Sequence, residues 1–365
     1  MDMKKIGISV LAVALAMSAV GFVGCGEKTP ENEVFVYMPD GAPAMAFAKM
    51  MEEDKEDDGV TYRVVNPTVI ASKVTNADAV KNADICALPV TAASKLLGKR
   101  EDYQALGVLT SGNLCLLSKD EGIIAALGVG EAAKDGYMDA LKGKVVGVMK
   151  INDMPGLTWK SILDDYGMPW QEVKNDGEIA ADKVNLKAIT DATAIDPSDK
   201  TVSCYLVAEP AASVQVKKKG FSYVGSIEEM YYHGAIPENC TEESYTGYPQ
   251  AVLVAKKSLI KENEKWLQDF MSQVKDSSQV LQTDWATGEK IVASIKSHLE
   301  DPAYATTLNA TVLTKETIGR CRAYFSESAL SKDAVQTYLN RISVLQSSVS
   351  PFSEGFFYTA WKSEK

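Results

Sequence analysis

Four short segments of this 365-residue chain combine proline or glycine with side chains that donate or accept hydrogen bonds: Tyr37-Met38-Pro39-Asp40-Gly41-Ala42, Leu88-Pro89-Val90-Thr91, Lys150-Ile151-Asn152-Asp153-Met154-Pro155-Gly156 and Ala208-Glu209-Pro210. Each follows a strand-like apolar run and precedes a helix-like one. At such junctions the helix N-terminus offers unpaired N–H groups and a partial positive charge, so the chemistry open to them is recognition of a solute. Proline and glycine also end strands and start helices without any ligand, but four such segments facing one cleft favour binding. Tyr37 can stack on a planar ligand or serve as a core residue with a wet hydroxyl. Asp40 can accept from a ligand, or cap the helix beginning near Ala42, the usual role of such a residue. Thr91 is the best small hydrogen-bonding group on one side, and Asn152, followed by Asp153, is its counterpart on the other. Thr110 and Asn113 flank the turn Ser111-Gly112, while Glu209 either meets a ligand or favours its own helix N-terminus. With Gly41 and Pro89 these are the candidate ligand-binding residues. The four segments hold no arginine and one cation, Lys150. A strongly anionic solute is usually gripped by a guanidinium fork, so the segments point to a small polar heterocycle or an amine-bearing solute, with a sulfonate as competitor.

Bond-making chemistry finds little support. The two histidines, His233 and His298, stand in no catalytic or metal-ligand motif, and there is no GxSxG, Walker loop or dinucleotide fingerprint. After Cys25 five widely spaced cysteines remain, Cys86, Cys115, Cys204, Cys240 and Cys321, with no CxxC or Cys/His ligand spacing. No cofactor, metal or disulfide framework is expected, with a Cys204–Cys240 bridge left open.

Positioning these residues requires alternating strands and helices. Val34–Met38, Val60–Val65 and Ala83–Leu88 read as strands, followed by helical runs at Ala42–Met51, Val69–Val80 and Thr91–Leu97, the rhythm of a doubly wound α/β sheet. Gln104–Thr110 and Asn113–Ser118 are crossing strands. A second set follows, with strands at Lys144–Met149, Lys183–Ile189, Thr201–Val207 and Phe221–Val224 and helices at Leu157–Tyr166 and Ala211–Lys219. Gln250–Ala255 is a further strand, and Trp266, Phe270 and Val274 mark one face of a long helix. From there to about Ser347 the pattern is mostly helical. Those helices cannot bury their stripes alone and must pack back on the first unit. The division expected is 33–117 plus 250–365 as lobe 1 and 118–249 as lobe 2, with hinge crossings near 110–118 and 245–250. That is a clamshell.

The N-terminus carries Lys4 and Lys5, then an uncharged run from Ile6 to Val23, then Gly24 and Cys25, the plan of an export signal over 1–24. Phe22-Val23-Gly24-Cys25 resembles a lipobox, with Phe22 where Leu is usual, so lipidation is expected on Cys25 and a polar tether over 25–32. Removal of residues 1–24 moves the formal charge from −11 to −12. Such a surface repels phosphate backbones, which argues against nucleic acid as a partner.

The chain resembles the substrate-binding lipoproteins of ABC importers of the nitrate, sulfonate and taurine type, whose fold is shared with pyrimidine-precursor binding proteins. The resemblance rests on Asn82-Ala83-Asp84-Ile85-Cys86-Ala87-Leu88-Pro89, Gly112-Asn113-Leu114-Cys115-Leu116-Leu117-Ser118, Leu206-Val207-Ala208-Glu209-Pro210-Ala211, Gly247-Tyr248-Pro249-Gln250-Ala251-Val252-Leu253-Val254 and Gly355-Phe356-Phe357-Tyr358. It implies a type II periplasmic-binding-protein fold of two doubly wound lobes joined by two hinge crossings. It also implies a small-molecule solute, an importer permease as partner, and a place on the outer face of the cell membrane through the lipid on Cys25. A lipid-anchored enzyme on the same fold, and a surface lipoprotein that only presents a protein-interaction face, are the alternatives. If Cys25 carries the lipid, Cys25→Ser leaves a precursor that keeps its signal segment and takes up no labelled fatty acid. Labelling that survives the substitution removes the lipoprotein reading.

Overall fold

Runs of β-branched and apolar residues form the strands, and their burial on both faces marks them as members of covered sheets. The computed structural model describes residues 30, 32–55, 59–128, 130–174, 177–190, 192, 195–233 and 247–361. The signal segment, Cys25 and most of the tether lie outside the described residues, as do Cys240 and the start of the second expected crossing.

The first half of the chain builds β1 (Val34–Pro39), α1 (Ala42–Met45), α2 (Ala48–Glu53), β2 (Val60–Val65), β3 (Ile85–Pro89), α3 (Val90–Leu97), β4 (Tyr103–Ser111), β5 (Leu114–Ser118), α4 (Glu121–Ala126), β6 (Val145–Met149), α5 (Met154–Asp165) and β7 (Trp170–Val173). The second half builds β8 (Val184–Ile189), β9 (Cys204–Ala208), α6 (Ala211–Lys219), β10 (Ser222–Val224), α7 (Ile227–Tyr231), β11 (Pro249–Lys256), α8 (Lys257–Glu262), α9 (Glu264–Val280), α10 (Gly288–Ser297), α11 (Lys315–Arg320), β12 (Ala323–Glu327) and α12 (Ser328–Ser343). Among the described residues these strands form two sheets, ordered β12-β4-β11-β3-β1-β2 and β10-β5-β9-β6-β8-β7.

Apart from the edge strand β12, which also runs antiparallel, the strands of each sheet run parallel save one inserted among them: β11 between β3 and β4, and β5 between β9 and β10. Both are the strands that arrive from the other lobe. A chain that has just crossed enters its new sheet at the cleft and must run away from it, whereas β1, β3, β6 and β9 run toward it. Strand β5 pairs wholly within the second sheet, so the chain passes from one sheet to the other at Gly112-Asn113.

Helices α2, α9 and α10 cover one face of the first sheet, with Leu267, Phe270, Met271 and Val274 buried. A second apolar cluster runs without a break from Leu88 and Val90 of lobe 1 through Met154 and Trp159 of lobe 2 to Tyr338 and Leu339 of α12.

Three local expectations differ. The helix read over Val69–Val80 is two short 3₁₀ turns, Ile70–Val74 and Ala79–Lys81. Asn76 and Asp78 accept from the N–H groups of Asp78 and Val80, and such side-chain turns compete with a continuing helix. The edge strand β7 lies outside the sequence reading, as does β12, which sits in a stretch read as helical. Arg322, at φ +48°, ends α11's path before β12 begins.

Gly156, in the first turns of α5, positions the second-lobe loop 150–153. A Cβ there would lie 2.2 Å from the Ile151 carbonyl oxygen. Gly156→Ala should therefore lower stability by about 1–3 kcal/mol in denaturant unfolding. An unchanged midpoint would show that this loop is free to yield.

Candidate functional site

The ends of β1, β3 and β4 face the ends of β6 and β9 across the junction of the two sheets. Along the first-lobe rim Pro89 pairs with Ala251, Ala251 with Thr110, and Thr110 with Ala323, which sets these residues in one row. Thr91 and Thr110 are buried, at 1% and 2% exposure, and neither hydroxyl has a hydrogen-bond partner among the described residues. Gly41 takes φ +114° at the N-cap of α1, and a Cβ on it would meet nothing within 4 Å, so space lies beside it. Pro89 holds the N-cap position of α3, extended and half-buried. On the second lobe Asn152 and Asp153 are exposed before α5. Asn152 Oδ1 accepts from the buried Lys160 ammonium at 3.2 Å and its Nδ2 has no partner among the described residues.

The remaining candidates are committed to the protein's own architecture. Asp40 neither caps α1 nor lies open to a solute. Its carboxylate accepts from Tyr304 Oη at 3.0 Å, Thr306 Oγ1 at 2.7 Å, and Thr307 N and Oγ1 at 2.7 and 2.8 Å. Tyr37 is half-buried beneath the Lys73 ammonium, 4.9 Å above its ring, and its hydroxyl is made less acidic by burial and then by Glu300. Asn113 ties the hinge together: its N–H donates to Gln250 Oε1 and its Nδ2 to the Cys321 carbonyl, both at 3.3 Å. Asp153 caps nothing by its side chain and pairs across the junction with Lys95 at 3.5 Å.

Glu209 takes the second of its two expected roles, at its own helix N-terminus, and gains a further partner. Its side chain is fully enclosed and accepts from Ser213 N and Oγ at 3.0 and 2.9 Å, Tyr223 Oη at 2.7 Å and Arg320 Nε at 2.8 Å. It therefore satisfies its own helix N-terminus and meets a guanidinium from the other lobe. The absence of arginine from the four strand-end segments thus does not carry over to the folded junction, because α11 delivers one from the distant C-terminal region. Two residues on, Arg322 Nη2 donates to Glu228 Oε2 at 2.9 Å. The two arginines of Arg320-Cys321-Arg322 were the available signal, outside the stretches where helix N-termini were sought.

Behind the junction the lobes join through aromatic groups. Tyr338 Oη of α12 shares a hydrogen bond of 2.8 Å with Thr158 Oγ1 of α5, and Tyr248 lies between Tyr338 and Tyr231 at centroid distances of 6.5 and 5.1 Å. Arg341 covers the Tyr231 ring at 4.1 Å and pairs with Asp165. Burial pushes the Tyr248 and Tyr338 hydroxyls well above the usual phenol range, so both keep their protons. Cys86, Cys115, Cys204 and Cys321 are free thiols, all made less acidic by burial. Among the described residues no group of three or more His, Cys, Asp or Glu side chains could hold a metal ion. A surface groove of about 1070 Å³ lies at the far end of the first sheet, beside Val34, Asp84, Lys256 and Trp266, away from this junction.

Two parallel-cored sheets, each including an antiparallel strand that the chain enters on crossing from the other, define the type II periplasmic-binding-protein fold. The chain is similar to a solved structure described as an ABC transporter from Parabacteroides distasonis, at TM-score 0.64 and 19% identity over 91% of this chain and 100% of that one. It is also similar to the alkanesulfonate-binding protein of Xanthomonas axonopodis pv. citri bound to MOPS, at TM-score 0.55 and 11% identity over 88% and 94% of the two chains. The periplasmic nitrate-binding protein of Synechocystis matches at TM-score 0.53 and 11% identity over 90% and 85%. No protein-family model and no curated protein matches the sequence.

Asp40 anchors the 304–307 loop through a charged acceptor. Asp40→Ala should cost about 2–3 kcal/mol and speed amide exchange at Thr307. Protection at Thr307 equal to that of the unmodified protein would show that the loop is held by other contacts.

Proposed function

We propose that this protein is an extracytoplasmic solute-binding lipoprotein of an ABC importer, closing its two lobes on a small polar solute. The observation that carries the reading is the paired-sheet topology, in which two crossings at Gly112-Asn113 and Gly247-Tyr248 bring strand ends of both lobes to one junction. The likeness to binding components over most of both chains supports it. In this reading Thr91, Thr110 and the backbone at Gly41 and Pro89 meet the solute from lobe 1, and Asn152 meets it from lobe 2. A solute that touches both lobes favours the closed form through its differential affinity, and the permease then reads the paired lobe faces. The export signal over 1–24 and a lipid on Cys25 place the protein at the outer face of the cell membrane, with the tether 25–32 leading into β1. No helix among the described residues is long and apolar enough to cross a membrane.

A thermal-shift screen of polar solutes tests the reading. A solute at about 100 times its Kd stabilises the folded state by roughly 2.7 kcal/mol. Thr91→Ala, Thr110→Ala and Asn152→Ala should each weaken the hit by several-fold to about tenfold with folding retained. Affinity unchanged in all three moves the site elsewhere, and turnover of the hit makes the protein an enzyme.

A further inference from the structure

We propose that opposite charge on the facing sides of the two lobes is a latch that draws them shut without a solute; as a control on solute entry, it rests on the solute-binding reading above. Ion pairs cross the junction at four places, and at each the cation belongs to lobe 1 and the carboxylate to lobe 2. Arg320, at the end of α11, meets Glu209 at 2.8 Å, and Arg322 meets Glu228 of α7 at 2.9 Å. Behind the junction Arg341 of α12 pairs with Asp165 of α5. Lys95 of α3 reaches Asp153 at 3.5 Å, a loose contact in which the carboxylate stays 60% exposed. Where a cation of lobe 2 crosses, at Lys217, it meets the neutral Thr311 carbonyl at 2.5 Å.

The common sense of these pairs matters more than the strength of any one, since a single ion pair at a wet surface contributes little. With these cations on one face and these carboxylates on the other, every cross term between the two sets is attractive at any angle of approach. Alternating senses would make about half of the cross terms repulsive and would fix register instead. At about 0.01 M salt the Debye length is about 30 Å, so the pull reaches across a parted junction. Glu209 and Glu228 are buried, which leaves their pairs little screened once made, whereas Asp153 and Asp165 stay open to salt. Each contact joins the lobes directly, with no third group between them, so closing needs no solute. A solute then enters through the open fraction, and its apparent affinity falls in proportion to that fraction.

Thiol labelling of the full chain with iodoacetamide, resolved by peptide and with no solute added, tests this. Cys115 lies on β5 at the junction, within reach of the Glu209 and Arg320 charges, whereas Cys86 and Cys204 are buried in β3 and β9. Labelling of Cys115 should be slow at about 0.01 M salt and rise about tenfold at about 1 M, where the Debye length falls to about 3 Å. Glu228→Arg, which sets two cations face to face, should give a similar rise at low salt, and the swapped double variant R322E/E228R should return the rate toward that of the unmodified protein. Cys86 and Cys204 should stay slow throughout, which separates opening from unfolding. If Glu228→Arg unfolds, the salt series and the swapped variant decide. A Cys115 rate indifferent to salt, or a folded swapped variant that labels as fast at high salt as at low, overturns the latch and leaves solute binding, read separately by thermal shift, as it stands. A salt-dependent rate in a protein that no solute stabilises keeps the latch and removes the solute-binding reading.

Discussion

A carboxylate sealed between two lobes must find its counter-charge on the lobe opposite, and Glu209 does so in Arg320. Its side chain is 0% exposed, and four donors converge on it, three from its own lobe and one from the other. Removing one partner of a buried pair typically costs about 3–5 kcal/mol, less where, as at Arg320, one partner keeps contact with water. The pair thus resists separation of the lobes more than it adds to stability. It also occupies the N-terminus of α6, whose Ser213 N–H and hydroxyl are already spent on Glu209.

The rest of the junction follows from that pairing. The segment carrying Arg320 continues through Cys321, whose carbonyl accepts from Asn113, to Arg322, which reaches Glu228. Together these contacts form a non-covalent third link beside the two chain crossings. Helix α12 backs it from the other side, where Tyr338, Tyr248 and Arg341 meet α5 and α7 in a buried aromatic seam. In the proposed function, solute groups are met along the front rim, at Thr91, Thr110 and Gly41.

The fold was largely legible in the sequence because its signals are local. Alternating strand and helix runs, the Ser111-Gly112 turn between two extended stretches and the amphipathic face of α9 all follow from spacing alone. The short edge strands were not, since Trp170–Val173 and Ala323–Glu327 are held by pairing with neighbours rather than by pattern. The site was only partly legible. Thr91 and Thr110 stand at predictable strand ends, but whether Asp40 or Glu209 is free depends on partners more than one hundred positions away, Thr306, Thr307 and Arg320. No spacing rule brings those together.

The return of the chain to the first sheet for β11 and β12 also sets an order of assembly. Every strand of the second sheet lies between Leu114 and Val224, so that unit holds its own set of strands once this span is available. The first sheet must wait: β11 separates β3 from β4, and β12 closes its edge at Ala323–Glu327, near the far end of the chain. In a chain that emerges N-terminus first, the strands nearest the start are thus the last to be completed. They spend that interval with open edges, which is the period when a holding chaperone has most to protect.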